Sequence, residues 1–296
     1  MTKLKSISLP AVTLIVTGLL ATASHVSAAE LKLDIYNPGK DAIFPVSSVL
    51  VTGKTDAILV DAQFGKSQAE AVLAKIKASG KHLTTIYISH GDPDYYFGLD
   101  VLKAAYPEVK IVATPQTVAH IKETATGKLA FWGPKLGADA PKQIIVPDVL
   151  QGDSLSLEGQ SLKIIDLKGN QPERSVVWIP SIKAIVGGVV VDGSNLHVWM
   201  ADTQTAQSHQ DWLATLSTIE KLHPKIVVPG HYAAGSPLTL ASVRYTAKYI
   251  QTFDRETAKA ANSSALIDAM KKHYPTAEGV SSLELSAKVA KGEMKW

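Results

Sequence analysis

The chain has 296 residues, with 30 lysines and arginines against 27 aspartates and glutamates, 46% hydrophobic residues and no cysteine. A net charge of +3, with no basic cluster interleaved with aromatics, excludes nucleic-acid binding as the organising feature. Without thiols there is no disulfide, thiol-linked lipid or thiolate metal site, so any metal has to be held by His, Asp, Glu, Asn or Tyr.

Lys3 and Lys5, an apolar stretch over residues 9–23 and the small residues Val26-Ser27-Ala28 read as a secretory signal peptide over residues 1–28. The apolar run is shorter than the ~20 residues a membrane helix needs, so no membrane anchor is expected after cleavage. The mature chain keeps 268 residues, 28 of them basic and 27 acidic. That is long enough for a core that stands without cross-links. The expected location is the periplasm or the medium, and the oligomeric state is not legible.

Residues 31–37 alternate apolar and polar, as an antiparallel strand with one wet face does. Residues 42–52 and 57–63 read as strands joined by the turn Gly53-Lys54-Thr55-Asp56. Ile58-Leu59-Val60 is apolar on both faces and belongs in mid-sheet. A helix is expected over 67–78, where Ser67 and Glu70 make a capping box, Gly80 a stop, and Ala69, Val72, Leu73 and Ile76 an apolar stripe. Strands at 83–88 and 111–114 and a helix within 115–132 follow. Beyond Pro141, short strands are expected at 143–146, 154–157, 162–167, 176–179, 184–191 and 226–228. Helices are expected over 208–223, from Ser236-Pro237 to 257, over 264–273 and over 281–291. Strand-rich and helical segments thus occur twice with no low-complexity linker. The pattern predicts an α/β fold of two face-to-face sheets with helices outside, an αββα four-layer sandwich over residues 29–257. Residues 258–296 read as a C-terminal helical extension of no legible role.

The chemistry is concentrated in Ser89-His90-Gly91-Asp92-Pro93-Asp94-Tyr95-Tyr96-Phe97-Gly98, directly after the 83–88 strand. Polar side chains at a strand end gather where α/β proteins bind ligands. His90, Asp92 and Asp94 alternate and can converge on one cation, and the same residues equally suit a polar turn. Two carboxylates about 6 Å apart repel by roughly 3 kcal/mol at an effective dielectric of about 20, which either a cation or a proton relieves. An Asp-x-Asp phosphotransfer nucleophile fits poorly, because Ser89-His90-Gly91 intervene after the strand. Neither a nucleophile elbow nor a P-loop motif occurs.

This stretch resembles the T-H-x-H-x-D-H-x-x-G motif of the metallo-β-lactamase fold family, and Val228-Pro229-Gly230-His231 resembles its late P-G-H. Gly169-Asn170-Gln171-Pro172-Glu173-Arg174-Ser175 stands where that family has G-H-T-P-G-S, and Ile185-Val186-Gly187-Gly188 where a strand ends in G-D. The resemblance extends to about Ala247. It implies a hydrolase with two zinc ions held by five histidines and two aspartates. This chain is similar to a divergent member with an incomplete metal motif. His90, Asp94 and His231 match. Asp92 and Tyr95 replace two histidines, Asn170 (or Gln171, if the loop is shifted) a third, and Gly188 the bridging aspartate. The resemblance therefore implies one zinc ion at most, on His90, Asp92, Asp94 and His231, or none.

With one ion, the expected activity is hydrolysis of a small-molecule ester, lactone, amide or phosphoester. The metal would lower the pKa of a bound water, Asp94 would orient or deprotonate it, and Tyr95 or Tyr96 would donate to developing negative charge. His197, in Asn195-Leu196-His197-Val198-Trp199, reads as a substitute ligand, a substrate contact or a surface-loop histidine. Asn170 and Tyr96 are the other candidates for substrate contact or substitute ligation. His120 and His209 are expected in solvent, Asp192 in a turn, Trp212 in the core and Phe131-Trp132 near the cleft. The alternative is a non-catalytic periplasmic binding protein that kept the cleft and lost its metals.

Overall fold

The computed structural model describes Thr2, residues 30–165, Gln171 and residues 173–296. Apart from Thr2, the expected signal peptide lies outside the described residues, and so does Asn170.

The first half supplies β1 (Lys32–Tyr36), β2 (Ser48–Thr52), β3 (Asp56–Val60), α1 (Lys66–Ser79), β4 (His82–Ile88), α2 (Pro93–Tyr96), α3 (Leu99–Ala105), β5 (Lys110–Ala113), α4 (Pro115–Leu136) and β6 (Asp148–Val149). The second half supplies β7 (Ser154–Leu157), β8 (Gln160–Ile165), β9 (Val176–Ile179), β10 (Ala184–Val186), α5 (Ala206–Lys221), β11 (Ile226–Val227), α6 (Leu240–Lys259), α7 (Ser263–His273) and α8 (Val280–Ala290). One sheet runs β1-β2-β3-β4-β5-β6 and the other β11-β10-β9-β8-β7.

The two-residue period of a strand sorts side chains between layers. Val49, Val51, Ile58, Val60 and Tyr87 meet Leu162, Ile164, Val177, Ile179, Ala184 and Val186 between the sheets. The alternate residues Leu50, Leu59, Ile86 and Ile88 turn outward under α1, α3 and α4. On the other sheet Val176, Trp178 and Ile185 turn outward under α5 and α6. Each aliphatic side chain so buried contributes roughly 1.5–3 kcal/mol. The result is the expected αββα sandwich. The hairpins of the two sheets are tied together where the Glu158 carboxylate accepts the backbone N–H groups of Lys54 (2.8 Å), Thr55 (2.6 Å) and Asp56 (2.9 Å).

Several boundaries differ from the sequence reading. Helix α1 is capped at Gly65, whose N–H donates to Gln68 Oε1 (2.8 Å), while the Ser67 hydroxyl is drawn to Asp139 instead. Residues 143–146 are not a strand; Ile144 and Ile145 pack against the core and pairing starts at Asp148. Strand β10 stops at Val186 because Gly187 and Gly188 take left-handed backbones, φ 76° and 77°. Helix α6 starts at Leu240 under a Thr239 cap, beyond Ser236-Pro237. The C-terminal helices are built into the second half: Leu266, Met270, Leu283 and Ala287 share one buried cluster with Trp212, Tyr249 and Phe253.

Below the strand ends a polar network joins the sheets. Asp61, with φ 64°, follows β3, and its carboxylate accepts the Ser89 N–H (2.8 Å) and hydroxyl (2.7 Å). Ser89 Oγ accepts the Gly188 N–H (2.7 Å), and Ser175 Oγ donates to the Ser89 carbonyl (2.9 Å). Burial pushes the Asp61 carboxyl up to about 7, against the hydrogen bonds from Ser89 that pull it down. A carboxyl that titrates near 3.8 when unfolded and near 7 when folded holds its proton longer in the folded state. Its stabilisation is complete below the unfolded value and is lost as pH rises through the folded one. Thermal melts between about pH 4 and pH 7 should therefore show a falling Tm whose slope is shallower in Asp61→Asn; identical slopes would contradict this assignment.

Candidate functional site

The loops leaving β4, β8, β10 and β11 open on one side of the sandwich, over a cavity of about 750 Å³. Helix α4 walls it with His120, Lys128, Phe131 and Trp132, the segment before β2 with Phe44, and the C-terminal residues with Ser281, Ser282 and Trp296. Residues beyond 258 thus reach the cleft itself. Trp199 and Trp296 meet edge to face at 5.1 Å, and both indoles donate to Asp202 (2.8 and 2.6 Å).

His90 and Asp92 come from the β4 loop. His90 is 6% exposed, with Nδ1 at 3.1 Å from the Glu173 carbonyl and Nε2 at 3.1 Å from Asp92 Oδ2. The other Asp92 oxygen accepts from Lys128 Nζ (2.8 Å), which also donates to the Gly91 carbonyl (3.0 Å) and lies 2.9 Å from His120 Nε2. Gly91 is required for this approach, since a Cβ there would sit 2.6 Å from the His120 ring. Burial disfavours charge on Asp92, yet the cationic His90 and Lys128 more than offset it and hold the carboxyl well below its usual range. Burial lowers His90, but the Asp92 charge and hydrogen bond win and raise it. Burial and the Lys128 charge lower His120.

Asp94 and His231 form a second pair, Oδ2 to Nε2 at 2.7 Å. His231 follows β11, and its backbone is clamped between Val46 and Asp192 by two bridges. Gly230 admits that path, because a Cβ there would lie 2.0 Å from the Gly188 carbonyl. His231 Nδ1 is 3.3 Å from the Tyr95 hydroxyl. Burial works against the His231 charge, but the Asp94 hydrogen bond and charge raise its pKa. Burial and the Asp94 charge push Tyr95 well above the usual phenol value.

The zinc that the sequence resemblance implies does not fit this donor set. Catalytic zinc uses three protein ligands and an open position. Among the described residues no three histidine, aspartate or glutamate side chains converge as a metal-binding group. The four predicted ligands meet two by two instead of around one point. The third donor fails in each case for a local reason. The Tyr95 hydroxyl is turned to His231 Nδ1 at 3.3 Å, Lys128 already neutralises Asp92, and Gly188 has no space for a side chain, since a Cβ would lie 2.0 Å from the Ser175 carbonyl.

The remaining candidates fall as follows. His197 is 2% exposed, not a surface-loop residue; its Nδ1 is 3.0 Å from the Tyr249 hydroxyl, and it lines the cavity. Burial and the Lys271 charge lower it to about 4. Tyr95 and Tyr96 are fully buried behind the cavity wall and do not line it, which removes them as donors to a substrate. His120 is tied to Lys128, and His209 lies between Asp254 (2.6 Å) and the Thr203 carbonyl (2.6 Å), so neither is a solvent histidine. Asp192 is 3% exposed at the cavity wall, not an open turn. Trp212 is core, as expected, and Phe131 and Trp132 reach the cleft. Sequence reasoning missed Lys128 and Arg174. The signal for Arg174 was a long cation inside a segment where the resembled motif has small residues.

A cleft at the strand ends of an αββα sandwich, walled by histidines and aspartates from those loops, defines the metallo-hydrolase class of architecture. A model of the metallo-β-lactamase superfamily matches residues 42–231, and the chain belongs to that superfamily. Among solved structures it is similar to a metallo-β-lactamase from Pontibacter korlensis, at 20% identity over 75% of this chain and 99% of that one, TM-score 0.57. It is also similar to the DIM-1 metallo-β-lactamase, at 19% identity over 76% and 99%, TM-score 0.55. At these identities the likeness is one of fold.

The closed position at Gly188 has a measurable consequence. Gly188→Ala combines a left-handed backbone with a clash against Ser175, and urea unfolding should show a loss of roughly 2–5 kcal/mol. An unchanged midpoint would contradict the packing described.

Proposed function

We propose that this chain is an exported small-molecule-binding protein, in which a metallo-β-lactamase cleft captures its ligand without zinc chemistry. One observation carries the reading: the imidazoles and carboxylates that would ligate metal are committed to one another and to Lys128, in contacts of 2.7 to 3.1 Å. A divalent ion at Asp92 would lie beside an ammonium, an arrangement that costs several kcal/mol even at an effective dielectric of about 20. The cavity is of the size that drug-sized ligands fill.

The hydrolytic reading keeps one supporting observation. The Asp94–His231 contact of 2.7 Å is also a spacing at which two ligands share an ion. That reading assigns His90, Asp92, Asp94 and His231 to one zinc and hydrolysis to a small ester, lactone, amide or phosphoester. Elemental analysis of protein purified without chelator separates the two. Binding predicts well under one metal ion per chain and no hydrolysis across such a panel, with or without added zinc. A full equivalent of metal with chelator-sensitive turnover would overturn it. Lys128→Met should raise zinc affinity about tenfold or more by freeing Asp92, and an unchanged affinity would show that the ammonium is not what excludes the ion.

Export is supported by the basic, apolar and small-residue order of the first 28 residues. Sequencing the N-terminus of secreted protein should read from Ala29 or Glu30. An intact Met1 on the mature protein would contradict processing.

A further inference from the structure

Arg174 is a guanidinium in an unusual position. It is 3% exposed and lines the cavity, with Cζ 4.8 Å over the Trp212 ring. Its backbone N–H is used by the Gln171 carbonyl (2.9 Å), but its Nη1 is buried with no hydrogen-bond partner among the described residues. Among the described residues no carboxylate lies within ion-pair distance of it, in contrast to Lys128. Beside it, Gln171 is 5% exposed and Asp192 3%; both line the cavity, and their Oε1 and Oδ2 atoms also have no partner among the described residues. Three orphaned polar atoms on one wall are rare in a folded protein, because each forfeits a hydrogen bond without water to replace it.

We propose that the cleft takes a small apolar monocarboxylate, whose carboxylate is gripped by Arg174. This deepens the binding reading above and rests on it. The guanidinium fork matches a planar carboxylate with two parallel N–H donors. The charge around the site favours one negative charge over two: Asp192 and Asp202 face Arg174 at longer range, and of the nearby cations His90 is already paired with Asp92. A second ligand charge would meet those aspartates with no further unpaired cation among the described cavity residues to offset it. Phe44, Phe131 and Trp132 supply an aromatic wall for the apolar body. Gln171 Oε1 and Asp192 Oδ2 are acceptors that an N–H or O–H near the carboxylate would satisfy.

Calorimetric titration of the mature protein with phenylbutyrate, phenylbutyramide and phenylbutylphosphonate tests this. The acid should bind about tenfold or more tightly than the amide, as a desolvated charge-assisted pair requires, and more tightly than the dianionic phosphonate. Arg174→Met should erase the acid's advantage over the amide, and Arg174→Lys should keep part of it. The acid–amide comparison on the unaltered protein stands even if a variant fails to fold. Equal binding of acid and amide would overturn the carboxylate assignment and leave the binding cleft standing, as would a preference for the phosphonate. No binding by any of the three would overturn both.

Discussion

An ammonium group sits against the Asp92 carboxylate at the rim of the cleft. Lys128 Nζ lies 2.8 Å from Asp92 and 3.0 Å from the Gly91 carbonyl, inside the loop that a zinc-dependent relative would wrap around metal. The Asp92 carboxylate is only half-buried, and its two oxygens are held by Lys128 and His90. Once Asp92 is neutralised, His90 is held by it at one nitrogen and by the Glu173 carbonyl at the other. His231 is likewise held at both nitrogens, by Asp94 and Tyr95. With these four contacts made, no imidazole nitrogen of the two pairs is left to point at an ion.

The backbone reinforces the same outcome from below. Asp61, Ser89 and Gly188 form a chain of hydrogen bonds under the pairs. Gly188 and Gly230 bring their backbones so close that neither tolerates a Cβ. Where the resembled motif carries a bridging aspartate, this chain spends the space on close contact between β10 and the loop carrying Ser175. The loss of that side chain is therefore built into the packing of the second half, and restoring it would require the Ser175 backbone to move.

Much of this was legible in the residue pattern. The period-two apolar code of Val49, Leu50 and Val51, and again of Ile58, Leu59 and Val60, assigns faces to strands without coordinates. The motif spacing placed His90, Asp94 and His231 on one side of the sandwich. The partners of those residues were not legible, because they are set by tertiary approach. A lysine on a helix reads as a solvated cation, and nothing local reveals that Lys128 folds back over Gly91. Asp192-Gly193 has turn chemistry, yet the bridge to His231 buries it. The sequence around His197 leaves ligand, substrate contact and surface loop open, because its contact with Tyr249 depends on how α6 packs. The C-terminal residues carried no signal for a role in the cleft, since Trp296 reaches Asp202 only through the path of α7 and α8.

The ring nitrogens of His90 and His231 are occupied by protein partners, which leaves neither imidazole turned to an ion. Imidazole nitrogen NMR of the mature protein, recorded before and after one equivalent of zinc, tests it directly. The ring resonances of both histidines should keep their positions and their hydrogen-bonded character on zinc addition. A stoichiometric shift of either ring into the range of a metal-bound nitrogen would contradict it.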